Sequence, residues 1–524
     1  MIGEVSRASV MALPLAGYLW CGAAVGAGAL AVLSLPPNSM LVFIPLSYGA
    51  LFLLVHGHGP ARSFVGGWLF GVGYFAAGLS WIAESFLVDA ERFGVYALPA
   101  VVGLSVLLAV FPGIAMAVFA AIRSERFAPY PVRAVLFSAC WAGAEWLRGH
   151  VLTGFPWNLA AYATTDFAAL RQPAAWFGSY GLSFVVVLLG VLTAQTLGRH
   201  RRWPSLALIG AIVGSLWLGE TINGTQATVA ERQFNIRIVQ GNFPQREKWA
   251  PGAREAAISR YLTLSATDGP TDAVLWPETA FPGFLDEDEN AKLRIFTGLP
   301  SGTVLLTGVP DRDQSRAGPR YYNTIQVYDP RGELVTRYAK HRLVPFGEYV
   351  PLRDWLPVER LTAGRGDFTP GPGPRTLVVP GLPTFAAAIC YEIIFPGHVV
   401  DDAVRPAWIF NPSNDAWFGT SIGPEQHLAA ARMRAVEEGL PVVRAVNTGI
   451  SAVIDAKGNT VARLELEQTG TLDAELPAAL PRTPYARFGD WALLPLVCVL
   501  WLAGLGVASV RLPSKLSSWL LFRS

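Results

Sequence analysis

The 524-residue chain is short of charge: Asp, Glu, Lys and Arg make up 15% of it, hydrophobic residues 52%, and its mean hydropathy is positive. A soluble protein of this size carries about a quarter charged residues, so the shortage excludes a wholly soluble chain and points to membrane spans. The formal net charge is only +2, which gives no hint of a nucleic-acid surface. Cysteine is scarce as well, with four in all: Cys21, Cys140, Cys390 and Cys498. Without a Cys-x-x-Cys pair or an extracellular pairing pattern, neither a disulfide framework nor a cysteine-based metal site is expected. Internal repeats are missing too, and with them the paired broken helices of many transporters.

Long apolar runs are what the chain has instead. A bilayer takes roughly 17–25 residues to cross. Seven runs of about that length lie near 10–34, 39–56, 63–85, 94–121, 132–149, 174–197 and 203–220, and an eighth near 489–511. The fifth carries Glu145 and Arg148, which are expected to pair within the bundle. Pro14, Gly17 and the span that follows at once argue against a cleaved signal at the start. Basic residues mark one side: Arg62 after the second span, Arg123, Arg126 and Arg133 after the fourth, Arg199, Arg201 and Arg202 after the sixth, with Arg7, Arg511, Lys515 and Arg523 at the ends. By the positive-inside rule both termini are cytoplasmic, and the polar stretch 221–488 lies on the opposite face. The organisation expected is therefore 1–220 as a seven-helix membrane region, 221–488 as one outer domain, and 489–524 as an eighth span with a cytoplasmic tail. In a bacterium that outer face is the oxidising periplasm, where a structural cysteine is normally paired. Cys390 alone lies in the polar part of the chain, without a partner, which favours a functional thiol over a small core residue.

The polar region alternates strand-like and helix-like segments, the pattern of a layered α/β domain. Strands are expected at 235–240, 273–276, 303–309, 322–328, 333–338, 376–379, 385–389, 408–411, 442–446 and 451–455, and helices at 251–267, 286–297 and 424–438. Asp329-Pro-Arg-Gly332 and Asp455-Ala-Lys-Gly458 read as hairpin turns. Three strand-like runs end on an ionisable residue: Trp276-Pro-Glu278, Tyr338-Ala-Lys340 and Ile389-Cys390. Chemically they form a set. A carboxylate can take the thiol proton, and an ammonium can lower a thiol pKa and stabilise an oxyanion. His341, His398 and His427 remain rivals for the base.

Trp276-Pro-Glu-Thr-Ala280, Lys340-His-Arg-Leu-Val-Pro-Phe-Gly-Glu348, Cys390-Tyr-Glu392 and Asn411-Pro-Ser-Asn-Asp-Ala-Trp-Phe-Gly419 together resemble the signatures of the nitrilase superfamily. Adding the eight spans, Val239-Gln-Gly-Asn-Phe-Pro-Gln245, Trp249 and Thr153-Gly-Phe-Pro-Trp157, the chain resembles the apolipoprotein N-acyltransferase family, the membrane-integrated branch. That resemblance implies a membrane α-helical bundle of eight transmembrane helices plus an α/β nitrilase-like αββα sandwich with a Glu-Lys-Cys triad. Carried over by position, Glu278 is the general base, Lys340 the oxyanion stabiliser and Cys390 the nucleophile. Glu348 supports Lys340 or the attacking amine, and Tyr391 and Glu392 flank the nucleophile. Asn323, Trp249, Asn414 and Trp417 match positions linked to substrate or to loops over the site. Trp157, with the apolar 350–362 segment, is expected either to border a lateral opening for lipid or to belong to an interfacial aromatic belt.

The reaction implied is a two-step acyl exchange in the bacterial inner membrane. An acyl chain passes from a phospholipid, typically phosphatidylethanolamine, to Cys390 as a thioester. It then passes to the α-amine of a diacylglyceryl-cysteine at a lipoprotein N-terminus, the last step of lipoprotein maturation. No metal or organic cofactor is implied, nucleic acid is not a partner, and a monomer is expected. One rival is a membrane-anchored nitrilase-type amidase or hydrolase, which would release free fatty acid. Another is a transporter or receptor with a sensor domain, in which Cys390→Ala would keep full function.

Overall fold

The computed structural model describes residues 7–122, 130–197, 206, 209–210, 233–315, 318–351, 353, 355, 367–401 and 403–493. The expected seventh span at 203–220 and the eighth at 489–511 fall mostly outside the described residues, as do Leu352, Leu356 and Leu361 of the 350–362 segment.

The first part is helical: α1 (Arg7–Ala31), α2 (Phe43–Val55), α3 (Pro60–Gly78), α4 (Ile82–Leu87), α5 (Ala97–Leu108), α6 (Val110–Ala121), α7 (Tyr130–His150) and α8 (Ala174–Leu197). Among the described residues three stretches are long and apolar enough to cross a membrane, Gly17–Ser34, Ala90–Ala121 and Ala174–Thr196, and α2 is a shorter apolar helix. Small residues let these helices touch backbone to backbone, the packing expected where lipid removes the hydrophobic drive between helices. A Cβ on Gly73 of α3 would sit 2.0 Å from the Val25 carbonyl oxygen of α1, so glycine is required there. Tyr48, Phe70 and Trp141 interlock edge to face or tilted at the centre of the bundle.

The polar region folds as two six-stranded sheets. One has the order β12-β1-β2-β3-β4-β5 and the other β11-β10-β9-β8-β7-β6. In chain order the elements are β1 (Asn235–Gln240), α9 (Ala253–Ser265), β2 (Ala273–Leu275), α10 (Glu289–Gly298), β3 (Val304–Ser315), β4 (Gly318–Tyr328), β5 (Leu334–Ala339), β6 (Thr376–Leu377), β7 (Phe385–Ala387), β8 (Trp408–Ser413), α11 (Gly423–Glu438), β9 (Val442–Val446), β10 (Ser451–Ile454), β11 (Thr460–Leu464) and β12 (Gly470–Glu475). Strands β1, β2 and β3 run parallel, as do β7, β8 and β9, and the other pairings are antiparallel. Both expected hairpin turns form. Asp329 Oδ1 accepts from Arg331 and Glu333 N–H, and Asp455 Oδ1 accepts from Lys457 and Asn459 N–H. The edge strands β11 and β12 were not anticipated.

Three cores order the layers. Ile236, Ile238, Leu306, Phe385, Trp408 and Val443 pack between the sheets. Helices α9 and α10 cover the far face of the first sheet through Ile258, Tyr261, Trp276 and Ile295. On the far face of the second sheet α11 packs in one continuous cluster with the membrane helices, where Ala386 and Ile393 join Trp157, Tyr180 and Val187. The result is an α/β nitrilase-like sandwich joined to a membrane region through a shared core.

Candidate active site

The site lies where strands of both sheets deliver their carboxyl ends, the crevice that α/β folds use for ligands. After β7 the chain reaches Cys390 with φ of 49°, a left-handed conformation that costs a non-glycine residue energy, and then turns through a 3-10 helix over Cys390–Ile394. The expected strand to Ile389 is therefore shorter, ending at Ala387, because the chain bends early to present the thiol. Glu392, 1% exposed, fixes this bend. Its carboxylate accepts from Ile389 N–H at 2.7 Å, from His341 N–H at 2.7 Å and from Tyr338 OH at 3.0 Å. It thereby ties the Cys390 turn of one sheet to the end of β5 in the other, one residue from Lys340. Burial would raise the Glu392 pKa, but His341, the Lys340 charge and the Ile389 N–H together hold it below the ordinary value.

Lys340 is 1% exposed and lies between two carboxylates, Glu348 at 3.0 Å and Glu278 at 3.4 Å. Burial opposes its charge; the two carboxylates outweigh it and raise the lysine pKa. Asn323 Nδ2 donates to Glu278 Oε1 at 2.7 Å and to Glu348 Oε1 at 2.8 Å, so it clamps the acids in register. Glu278, Lys340, Glu348 and Asn323, read separately from the sequence, form one buried network, with Cys390 close enough to feel both Glu278 and Lys340. Burial and the Glu278 charge push the Cys390 thiol up, Lys340 pulls it down, and the result is about 12. The ammonium lowers the thiol pKa as expected, but burial outweighs it and the group rests as a thiol.

Two groups lie here that the sequence did not single out. Lys248, 6% exposed, donates to the Glu278 carbonyl oxygen at 3.2 Å. Burial lowers it to about 8 despite Glu278 and Cys390. Asp415 lies with His427 and Cys390 so that one ligand atom of each is within 4.8 Å of the others. Its carboxylate is held by Arg444, by Ser413 Oγ at 2.7 Å and by the His427 ring at 2.9 Å. His427 Nε2 donates to the Cys390 carbonyl oxygen at 3.1 Å, while Nδ1 lies 3.0 Å from Arg444 Nη2. Burial and Arg444 keep the ring below its usual pKa. The other rivals lie elsewhere: His341 contacts Glu392, and the ring of His398 contacts His150.

The remaining expected residues spread around this centre. Tyr391 OH donates to the Gly154 carbonyl oxygen at 3.2 Å, reaching into the 153–157 segment of the membrane region. Asn414 donates to Gln245 Oε1 at 2.6 Å and accepts from Asn447. Trp417 is fixed at its carbonyl by Ser85 Oγ at 3.0 Å, and Trp249 is 47% exposed. Trp157 is 3% exposed, too deep for an interfacial belt or an open rim. Its indole N–H donates to Gln426 Oε1 at 2.8 Å and its ring lies against His427 and Trp81. In the 350–362 segment, Trp355 is described and is 84% exposed. Arg148 does not pair with Glu145 as expected. It donates to the Phe155 and Trp157 carbonyls, while Glu145 accepts from Trp141 and from Ala160 N–H.

Residues 27–192 match the apolipoprotein N-acyltransferase N-terminal domain, and residues 228–484 match the carbon-nitrogen hydrolase domain. The apolipoprotein N-acyltransferase of Bradyrhizobium diazoefficiens is 40% identical over 493 residues, covering 89% of this chain and 91% of its own length. That of Rhodopseudomonas palustris is 36% identical over 523 residues, covering 95% and 97%. A solved amidase from Nesterenkonia sp. aligns with 48% of this chain and 94% of its own at 19% identity and a TM-score of 0.33, too low to argue from.

Proposed function

The chain belongs to the apolipoprotein N-acyltransferase family, and from that premise we propose that it N-acylates the N-terminal diacylglyceryl-cysteine of lipoproteins through a thioester on Cys390. The observation that carries this reading is the thiol on its strained turn beside the buried Glu278–Lys340–Glu348 network. Glu278 takes the Cys390 proton as sulfur attacks the ester carbonyl of a phospholipid, phosphatidylethanolamine being the expected donor. Because the thiol rests protonated, proton removal and attack belong to one step. Lys340, kept charged by its two carboxylates, stabilises the oxyanion. Glu278 then hands the proton to the departing lysophospholipid oxygen. In the second half the lipoprotein amine attacks the thioester and the thiolate leaves.

Eight spans with both termini cytoplasmic and residues 221–488 in the periplasm put this chemistry beside the outer leaflet of the inner membrane. Both substrates can then keep their chains in lipid, which avoids about 0.8 kcal/mol for each CH₂ exposed to water. The enzyme works as a monomer, and Trp249, Asn414 and Trp417 bound the space over the thiol.

The test is the intact mass of the purified protein after incubation with phospholipid. It should gain one acyl mass, removable by hydroxylamine, absent in Cys390→Ser and discharged by a diacylated lipopeptide with formation of an amide. Discharge to free fatty acid alone would support the hydrolase reading instead. The Cys390–Asp415–His427 cluster favours a second reading of the base. Against it, Nε2 of His427 is committed to a carbonyl. Glu278→Gln should therefore slow acylation about 10²–10⁴-fold, whereas a greater loss in His427→Gln would move the role of base to the histidine.

A further inference from the structure

Lys248 is a buried lysine of the site that the acylation chemistry above leaves without a task. Among the described residues it forms no ion pair within 4 Å; its contact is the Glu278 carbonyl oxygen at 3.2 Å. The charged groups that act on it are Glu278, on the turn after β2, and Cys390, on the turn after β7. Lys340 differs: it is locked between two carboxylates and cannot give up its proton cheaply.

The second half-reaction has a proton to place. An α-ammonium plus the Cys390 thioester yields an amide, the Cys390 thiol and one free proton. The ammonium loses a first proton to expose its lone pair. It loses a second as the C–N bond forms, the C–S bond breaks and the electron pair goes to sulfur. Glu278 can carry that second proton to the thiolate. It cannot also keep the first, because it must be a carboxylate again when the next phospholipid arrives.

We propose, resting on the acyl-transfer reading above, that Lys248 is a catalytic base of the second half-reaction, taking the first proton from the incoming α-ammonium as a neutral amine and later releasing it to water. One further fact agrees. Burial brings Lys248 to about 8, matched to an α-amine of about 7.7–8.0.

The test separates the two halves by intact mass, with the full-length enzyme loaded with acyl chain and then mixed with an acceptor. In Lys248→Met, discharge by a diacylated lipopeptide near pH 7 should fall about tenfold or more, and by a larger factor than the loading step. The deficit should shrink above about pH 9, where the acceptor amine is already neutral. Hydroxylamine, a weak base that is neutral near pH 7, should discharge variant and wild type at similar rates. Lys248→Arg keeps a donor for the Glu278 carbonyl but cannot become neutral, so it should share the defect and also covers the case in which the methionine variant misfolds. Wild-type discharge in Lys248→Arg, or an equal deficit with both acceptors, would overturn the proposal and leave the lysine a merely structural prop. Failure of the wild-type enzyme to load an acyl chain would instead strike the acyl-transfer reading itself.

Discussion

The two faces of the sandwich are covered by helices of opposite character. On the first sheet, α9 alternates exposed and buried positions, and its Glu255 makes a surface pair with Arg294 of α10. On the second sheet, α11 is buried along nearly its whole length, although it carries Glu425, Gln426, His427, Arg432, Arg434, Glu437 and Glu438. A polar helix tolerates burial only if its groups find partners. Those partners come from both sides. His427 meets the Cys390 carbonyl, Gln426 meets Trp157, and Arg434 joins Glu437, the Ile394 carbonyl and Ser179 of α8. The comparison teaches that the half of the sandwich bearing Cys390 is fastened to the membrane region by polar contacts, while the half bearing Glu278 and Lys340 has water behind its helices.

Removing the fastening should have the largest effect. Arg434→Met leaves the Glu437 carboxylate buried without its cation, and about 3–5 kcal/mol of stability should be lost, read as the shift in thermal unfolding of the detergent-solubilised protein. If Arg434→Met unfolds no earlier than wild type, the contrast between the two faces fails. Trp157→Phe keeps a ring against His427 but strips Gln426 Oε1 of its donor, at a cost of about 1–3 kcal/mol by the same measurement. Acid should discriminate as well. Glu392 is held below the ordinary carboxylate range in the fold, so it contributes stability at neutral pH that is lost as pH falls below about 4.3 and through its depressed value. Glu392→Gln should therefore flatten the fall of the unfolding temperature in acid; an unchanged slope would mean that other acids govern it. The smallest effect belongs to the open face, where Arg294→Ala should cost under about 1 kcal/mol, since the pair it breaks is solvent-exposed.

How much of this was legible beforehand follows from the kind of signal each part leaves. Core strands such as Asn235–Gln240 and Val442–Val446 carry β-branched residues and end near glycine or asparagine, and they form where expected. The edge strand Thr460–Leu464 was missed because Val461, its most hydrophobic residue, points outward at 54% exposure and no apolar face stands out. Helix 423–438 was read from its good helix formers, yet nothing in its polar composition announces that it is interred. The network of Glu278, Lys340, Glu348 and Cys390 was legible because its residue types occur together in specific strings. Lys248, Asp415 and Arg444 matter because they are buried beside those residues, and burial of a charge leaves no periodic trace in the chain. Asp415 and Lys248 did stand inside or beside quoted strings, next to Asn414 and Trp249, which is the signal that could have found them.

The hydroxyl of Tyr391 on the Gly154 carbonyl has a consequence for dissection of the molecule. The residue immediately after Cys390 is moored to the loop between α7 and α8. Expressed without that loop, the sheets should lose one anchor of the Cys390 turn. Detergent that loosens the 153–157 loop should disarm the protein before it melts the sandwich.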